Sequence, residues 1–133
     1  MKGLEERGRR KEEGGSGGYR DLLVWQKAIA WVEGVYRASS SFPDDEKYGL
    51  TSQLRRSAVS VPSNVAEGWG RGAKKEYQQF LRYARGSLFE AETQLELARR
   101  LGYANADAIS DLRESSVEIS RMLLGLARPL RDR

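Results

Sequence analysis

The sequence predicts an all-α fold, an up-and-down antiparallel four-helix bundle. Three observations carry that reading. Four segments space their apolar residues by threes and fours, as one face of a helix requires. Short breaks rich in Ser, Pro, Gly or Asn separate them, and such short links favour antiparallel neighbours. No segment of any length alternates as a strand would. With 133 residues the chain is long enough for one domain with its own core.

Residues 1–18 are assigned to a charged, Gly-rich tail and 19–133 to the bundle. Lys2 to Glu13 mix both charges with almost no apolar anchor, and Gly14 to Gly18 have a linker composition. The first helix is expected from Asp21, as cap, to Ala38. Its face is Trp25, Ala28, Ile29, Val32, Val35 and Tyr36. Ser39-Ser40-Ser41 ends it, Pro43 blocks continuation, and Asp44 or Asp45 suits the next cap.

The second helix is expected over 46–69 with Leu50, Leu54, Ala58, Val61 and Val65 inward. Pro62 deletes the bond to the Ala58 carbonyl, which predicts a kink or short break. Gly68, Gly70 and Gly72 close this helix. A phosphate-loop reading of that string fails, because no strand precedes it and the Lys-Ser/Thr pair is missing. The third helix has the clearest pattern: Tyr77, Leu81, Ala84, Leu88, Ala91, Leu95 and Ala98 form a heptad seam, widened by Phe80 and Leu101. Gly102 suits its C-terminal stop, Tyr103 the accompanying apolar contact, and Asn105 the next cap. The fourth helix runs over 106–127 with Ile109, Leu112, Ser116, Ile119, Leu123 and Leu126 inward, and Pro129 ends it.

Composition narrows function. There is no histidine and no cysteine. The commonest general base, the commonest transition-metal ligand, the thiolates and the disulfides are thereby absent. An enzyme would have to rely on carboxylates, Lys, Tyr, Ser or Arg; a Glu-x-x-His di-iron site is excluded, while Glu67, Glu90 and Glu92 could still form a carboxylate-only site. We therefore expect no catalysis, no metal and no cofactor. No apolar run is long enough to span a bilayer and residues 1–18 hold no signal-peptide core, so the expected location is the cytoplasm.

The net charge is +4, from 23 basic and 19 acidic residues, but it is unevenly placed. Arg55, Arg56, Arg71, Lys74, Lys75, Arg82 and Arg85 face only Glu67 and Glu76 in the window 55–85, which is +5. Lys74, Lys75, Gln78, Arg82 and Arg85 share one side of the third helix, with Arg71 at its entry. Such a strip neutralises phosphates without reading bases, and an ordinary solvated face has the same pattern. Elsewhere, Gln53, Arg56, Ser60, Asn64, Glu67 and Arg71 line one side of the second helix; Tyr83, Ser87, Glu90 and Gln94 line one side of the third. The structural reading of Ser60, Asn64, Ser87 and Glu90, hydrogen bonding between helices or subunits, is favoured over recognition, and Glu67–Arg71 is read as an i, i+4 pair.

The stretch from Tyr48 to Gly68 (YGLTSQLRRSAVSVPSNVAEG), then Phe80 to Glu90 (FLRYARGSLFE), resembles a bacterial four-helix-bundle family. Its members are often encoded by intervening sequences within 23S ribosomal RNA genes. Leu22 to Ala28 resembles the family's opening, and the likeness covers about Tyr19 to Leu126. Arg55, Arg56, Asn64, Glu67, Gly68, Arg71, Gly86, Ser87 and Glu90 match the motif, and Pro62 belongs to it. The resemblance implies a bundle that assembles as a ring-like homopentamer. It also implies kinship with the accessory protein of diversity-generating retroelements, which binds nucleic acid and associates with a reverse transcriptase. That accessory protein is strongly basic, and the modest charge here departs from it. The expected function is therefore that of a homo-oligomeric accessory protein binding RNA or DNA, with ribosomal RNA or a reverse transcriptase as candidate partner. A protein-interaction scaffold with no nucleic-acid role is the alternative. Several of Trp25, Trp31, Trp69, Tyr83 and the polar stripes are expected at subunit contacts.

Overall fold

The computed structural model describes residues 17–128, so most of the tail assigned to 1–18 and the Pro129 stop lie outside the described residues. Four helices follow one another: α1 (Leu23–Ser39), α2 (Leu50–Arg71), α3 (Lys74–Arg100) and α4 (Ala106–Ala127). Each packs on two neighbours, α1 on α2 and α4, and α3 on α2 and α4, with no diagonal contact. Ser87 meets Ser60 while Phe80 meets Gly68, Arg85 meets Ser120 while Gln78 meets Arg128, and Trp31 meets Leu112 while Lys27 meets Glu118. These pairings run antiparallel in each case, so the bundle is up-down-up-down. No helix among the described residues is long and apolar enough to cross a membrane.

The third-helix seam forms as its spacing requires. Leu81, Ala84, Leu88, Ala91, Leu95 and Ala98 are all buried, and Tyr77 packs beside them. Leu50, Leu54, Ala58, Val61 and Val65 complete the α2 side. On α4 the inward row ends on Ala127, while Leu126 is 39% exposed, so the last position of the expected row is wrong by one residue. The α1 stripe needs a larger correction. Val24, Ala28, Trp31 and Val35 are its buried residues, whereas Trp25, Ile29 and Val32 are half-buried and Tyr36 is exposed. Trp31 is thus a core residue and not a subunit contact: it is 3% exposed and its indole Nε1 donates to the Leu112 carbonyl at 3.2 Å.

The helix ends show which local signals decide. Asn105 caps α4 as expected, its Oδ1 accepting from the amides of Asp107 and Ala108 at 2.7 and 3.2 Å. After α3, Gly102 takes φ 73°, the Tyr103 amide bonds to the Ala98 carbonyl, and the Gly102 amide bonds to the Arg99 carbonyl. This is the Schellman pattern that a C′ glycine permits. Asp21 does not cap α1; it sits in a 3₁₀ turn (Tyr19–Asp21) and accepts from the Gly17 amide, leaving Leu22 at the cap. Asp44 and Asp45 likewise form a 3₁₀ turn with Glu46. α2 begins later than expected, at Leu50, whose amide donates to Glu46 Oε1 at 3.0 Å. At its other end α2 passes through Gly68 and Gly70 and stops at Gly72, whose φ of 80° ends the helix.

Pro62 causes no break, since α2 is one continuous helix through it. A mid-helix proline costs about 3 kcal/mol. Here its ring is buried, so packing offsets part of the lost hydrogen bond. Phe42, unremarked in the sequence pattern, folds back into the core and meets Tyr103 at a ring distance of 5.7 Å.

Candidate nucleic-acid interface

The seven expected cations divide into three groups according to what each touches. Arg55 is committed to α1: its Nε donates to Ser39 Oγ at 2.8 Å, its Nη2 to the Tyr36 carbonyl at 3.2 Å, and its guanidinium lies 4.5 Å from the Tyr36 ring centre. It satisfies a carbonyl at the α1 C-terminus, where a cation is also favoured by the helix dipole. Arg71 is committed to α2 and α3, paired with Glu67 at 3.0 Å and lying 5.0 Å from the Phe80 ring. The expected i, i+4 pair is therefore formed. Arg56 is exposed on the α1–α2 flank, beside Arg55 and far from the cations of α3. Fifteen residues separate Arg56 from Arg71 along α2, about 22 Å at the helical rise.

Lys74, Lys75, Arg82 and Arg85 make the third group. Lys74 and Lys75 are exposed in the first turn of α3 and have no ionic partner among the described residues. The positive end of a helix dipole disfavours cations there. Ala73 supplies no side-chain cap, so the first-turn amides also face outward unsatisfied by a side chain. Farther along, Arg85 leans toward α4: its Nε donates to Ser120 Oγ at 3.1 Å and its guanidinium rests 4.8 Å from the Phe89 ring. Arg82 and Arg85 share an open groove with Arg128, which arrives from the end of α4. Gln78 secures that junction by donating to the Arg128 carbonyl at 3.1 Å.

The groove encloses about 460 Å³ between α3 and α4, and none of its lining residues is acidic. Leu81, Leu123 and Ala127 form the apolar base, Phe89 stands at the edge, and Gly86 leaves the wall open. A Cβ added at Gly86 would meet nothing within 4 Å. Three guanidinium groups around a trough without carboxylates suit a polyanion. Arg128 was missed in the sequence because only the α3–α4 pairing brings it to Arg82.

The other motif residues lie on the opposite flank of α3, against α2. Ser87 Oγ donates to Ser60 Oγ at 3.1 Å, and Asn64 Nδ2 donates to the Ser60 carbonyl and hydroxyl at 2.8 and 2.9 Å. The Ser60–Ser87 bond joins α2 to α3, whereas the Asn64 bonds stay within α2. Glu90 is exposed and enters no such bond among the described residues. Gly68 is required by packing: an added Cβ would lie 2.6 Å from Phe80 Cβ. Glu67, Glu90 and Glu92 are not brought together, since Glu67 pairs with Arg71 while Glu92 accepts from Ser116 on α4. Among the described residues no acidic cluster could hold a metal ion.

Of the ionisable groups displaced from their ordinary values, Tyr77 and Glu96 are shifted most. Burial pushes the Tyr77 phenol up to about 12, and its hydroxyl has no hydrogen-bond partner among the described residues. Glu96 is held down at about 2 by hydrogen bonds from Arg99 and Arg100 on the exposed face of α3. Neither lies in the groove.

The family model for the 23S rRNA-intervening sequence protein matches residues 20–125. The chain belongs to that family. The match spans all four helices, so the motif residues and the α3 strip both fall inside it. The fold also resembles a crystal structure of a Bacteroides thetaiotaomicron protein of unknown function, described as from the S23 ribosomal protein family. The TM-score is 0.72 at 20% identity, covering 80% of this chain and all of the other. At that identity the likeness concerns the fold. No curated protein matches the chain.

Proposed function

We propose that this family member is a non-catalytic, homo-oligomeric accessory protein of the cytoplasm that binds RNA or DNA through the cations of α3. The observation that carries the reading is the α3–α4 groove, where Arg82, Arg85 and Arg128 converge with no carboxylate in the lining. Lys74 and Lys75 extend the positive strip to the start of the helix, at a cost to helix stability that makes sense for a phosphate contact. No base-reading group stands among them, so binding is sequence-tolerant. Ribosomal RNA, or the RNA handled by a reverse transcriptase, supplies the ligand.

Self-association is supported by the outer side of α3. Tyr83, Leu97 and Leu101 are 50%, 48% and 51% exposed, a row of large apolar groups that water disfavours. Ring closure, about five subunits by family resemblance, would repeat the cationic strip and add weak contacts by avidity.

The test replaces Lys74, Lys75 and Arg82 together with Glu. These positions are exposed, so helicity and oligomer size should stay as in the parent while binding of double-stranded RNA or DNA is lost. A triple variant that binds as well as the parent contradicts the assignment and favours the protein-scaffold alternative.

A further inference from the structure

A second cationic groove lies on the opposite side of the bundle, where α1 ends and α2 begins, and its chemistry differs. It is an open trough of about 640 Å³ whose lining includes Tyr36, Lys47, Tyr48, Arg55 and Arg56. Tyr48 is 89% exposed, the barest large apolar side chain among the described residues, and Tyr36 is 41% exposed. Neither ring is needed to fill the core. Lys47 Nζ lies 5.5 Å from the Tyr48 ring centre, and Arg55 lies 4.5 Å from that of Tyr36. Each aromatic face thus has a cation beside it.

No carboxylate lines this trough. The acids of the preceding turn are Asp44, Asp45 and Glu46, and Glu46 is turned away: one oxygen accepts the Leu50 amide and the other the Tyr103 hydroxyl. Arg55 is fixed by two hydrogen bonds to the end of α1, which makes it a rigid part of the wall. Thr51 and Ser52 add hydroxyls between the cations. Exposed rings alternating with cations are what single-stranded nucleic acid requires: bases stack on the rings and phosphates meet the charges. A duplex keeps its bases stacked inside and cannot use the rings. The α3–α4 groove has three arginines around a single ring, Phe89, over which the Arg85 guanidinium lies at 4.8 Å, against the two rings of this trough.

We infer that the Tyr36–Tyr48 trough is a binding site for single-stranded nucleic acid, with a base stacked on Tyr48 and the flanking phosphates held by Lys47 and Arg56. This site goes beyond the α3 reading and stands or falls separately from it.

The experiment measures binding of a labelled 20-nucleotide oligouridine, and of a duplex of equal length, by fluorescence anisotropy. Tyr48→Ala should weaken oligouridine binding by about tenfold or more, the worth of one stacked base, and leave the duplex unchanged. Tyr48→Phe keeps the ring and should bind like the parent. The Lys74, Lys75 and Arg82 charge reversal separates the two sites: the Tyr48-dependent part of oligouridine binding should survive in that background. Several results overturn the inference. One is a Tyr48→Ala protein that binds oligouridine like the parent, or loses duplex and single strand equally. Another is a parent that binds the duplex but no single strand, which leaves the α3 reading intact. A parent that binds neither removes both. A Tyr48-dependent change in oligomer size by light scattering would make the trough a subunit contact. Equal dependence for a labelled polyglutamate peptide would assign it to an acidic protein.

Discussion

Gly68 and Gly86 face the two flanks of α3, and their surroundings are opposite. At Gly68 the α2 backbone comes so near that an added Cβ would lie 2.6 Å from Phe80 Cβ. At Gly86 the same Cβ would meet nothing. The α2 flank is closed, with Ser60, Asn64 and Ser87 bonded to one another and Arg71 tied to Glu67. The α4 flank is open toward its C-terminal half, where Arg82, Arg85 and Arg128 surround a trough. The polar residues of α3 therefore divide by flank: Ser87, toward α2, bonds across to that helix, and Arg82 and Arg85, toward α4, line the trough.

Substitution at the two glycines should test this contrast most sharply. Gly68→Val forces α2 and α3 apart against a side-chain Cβ that cannot move away. A loss of about 3 kcal/mol is expected in chemical denaturation, at the upper end for overpacking. If Gly68→Val unfolds at the parental midpoint, the close approach is not required.

Tyr77 gives a second probe of the closed flank, where it also meets Trp69 edge-on at 5.9 Å. Its phenol is raised from 10.0 to about 12 by burial. Because the folded value exceeds the unfolded one, the neutral phenol favours the fold. That advantage is complete below about pH 10 and fades as pH rises toward 12. The loss across that window is on the order of 2 kcal/mol. Tyr77→Phe should remove this dependence from an alkaline unfolding series. Since the hydroxyl is buried without a partner, the substitution should cost nothing at neutral pH. A loss of more than 1 kcal/mol there (roughly one ordinary hydrogen bond) would mean that the hydroxyl has an unseen partner.

The smallest effect belongs to the open flank. Gly86→Ala adds a methyl group into free space in mid-helix, and should stabilise the protein by about 0.5–1 kcal/mol. Thermal denaturation reads this directly, and destabilisation would show that the flank is more crowded than its geometry indicates.

Much of the architecture was legible because α3 alternates large and small residues at heptad spacing. Such a pattern has only one inward face. Asn105 and Gly102 were legible for an equally local reason, since a cap satisfies its own helix end. The α1 stripe was not. Leu22 to Trp25, Ala28 to Val32 and Val35-Tyr36 place apolar groups on most sides of that helix. Only the approach of α2 and α4 selects Val24 and Trp31 over Ile29 and Tyr36. Asp21 and Asp44 are good caps by type, but each lies in a 3₁₀ turn ahead of the helix it was expected to start. The cationic strip was readable as charge, whereas the groove was not. Arg82 and Arg128 lie 46 positions apart, and their meeting is a property of helix pairing.

The central claim is that the open flank of α3 binds nucleic acid by neutralising phosphates. Its most direct test is the affinity of the parent protein for a generic RNA between roughly 50 and 200 mM salt. Release of counterions from several phosphates predicts a log–log decline whose slope is near the number of contacts, hence a loss of orders of magnitude over that range. The slope should fall by about one for each of Lys74, Lys75 and Arg82 that is neutralised. Affinity that stays flat across the same range would contradict the account.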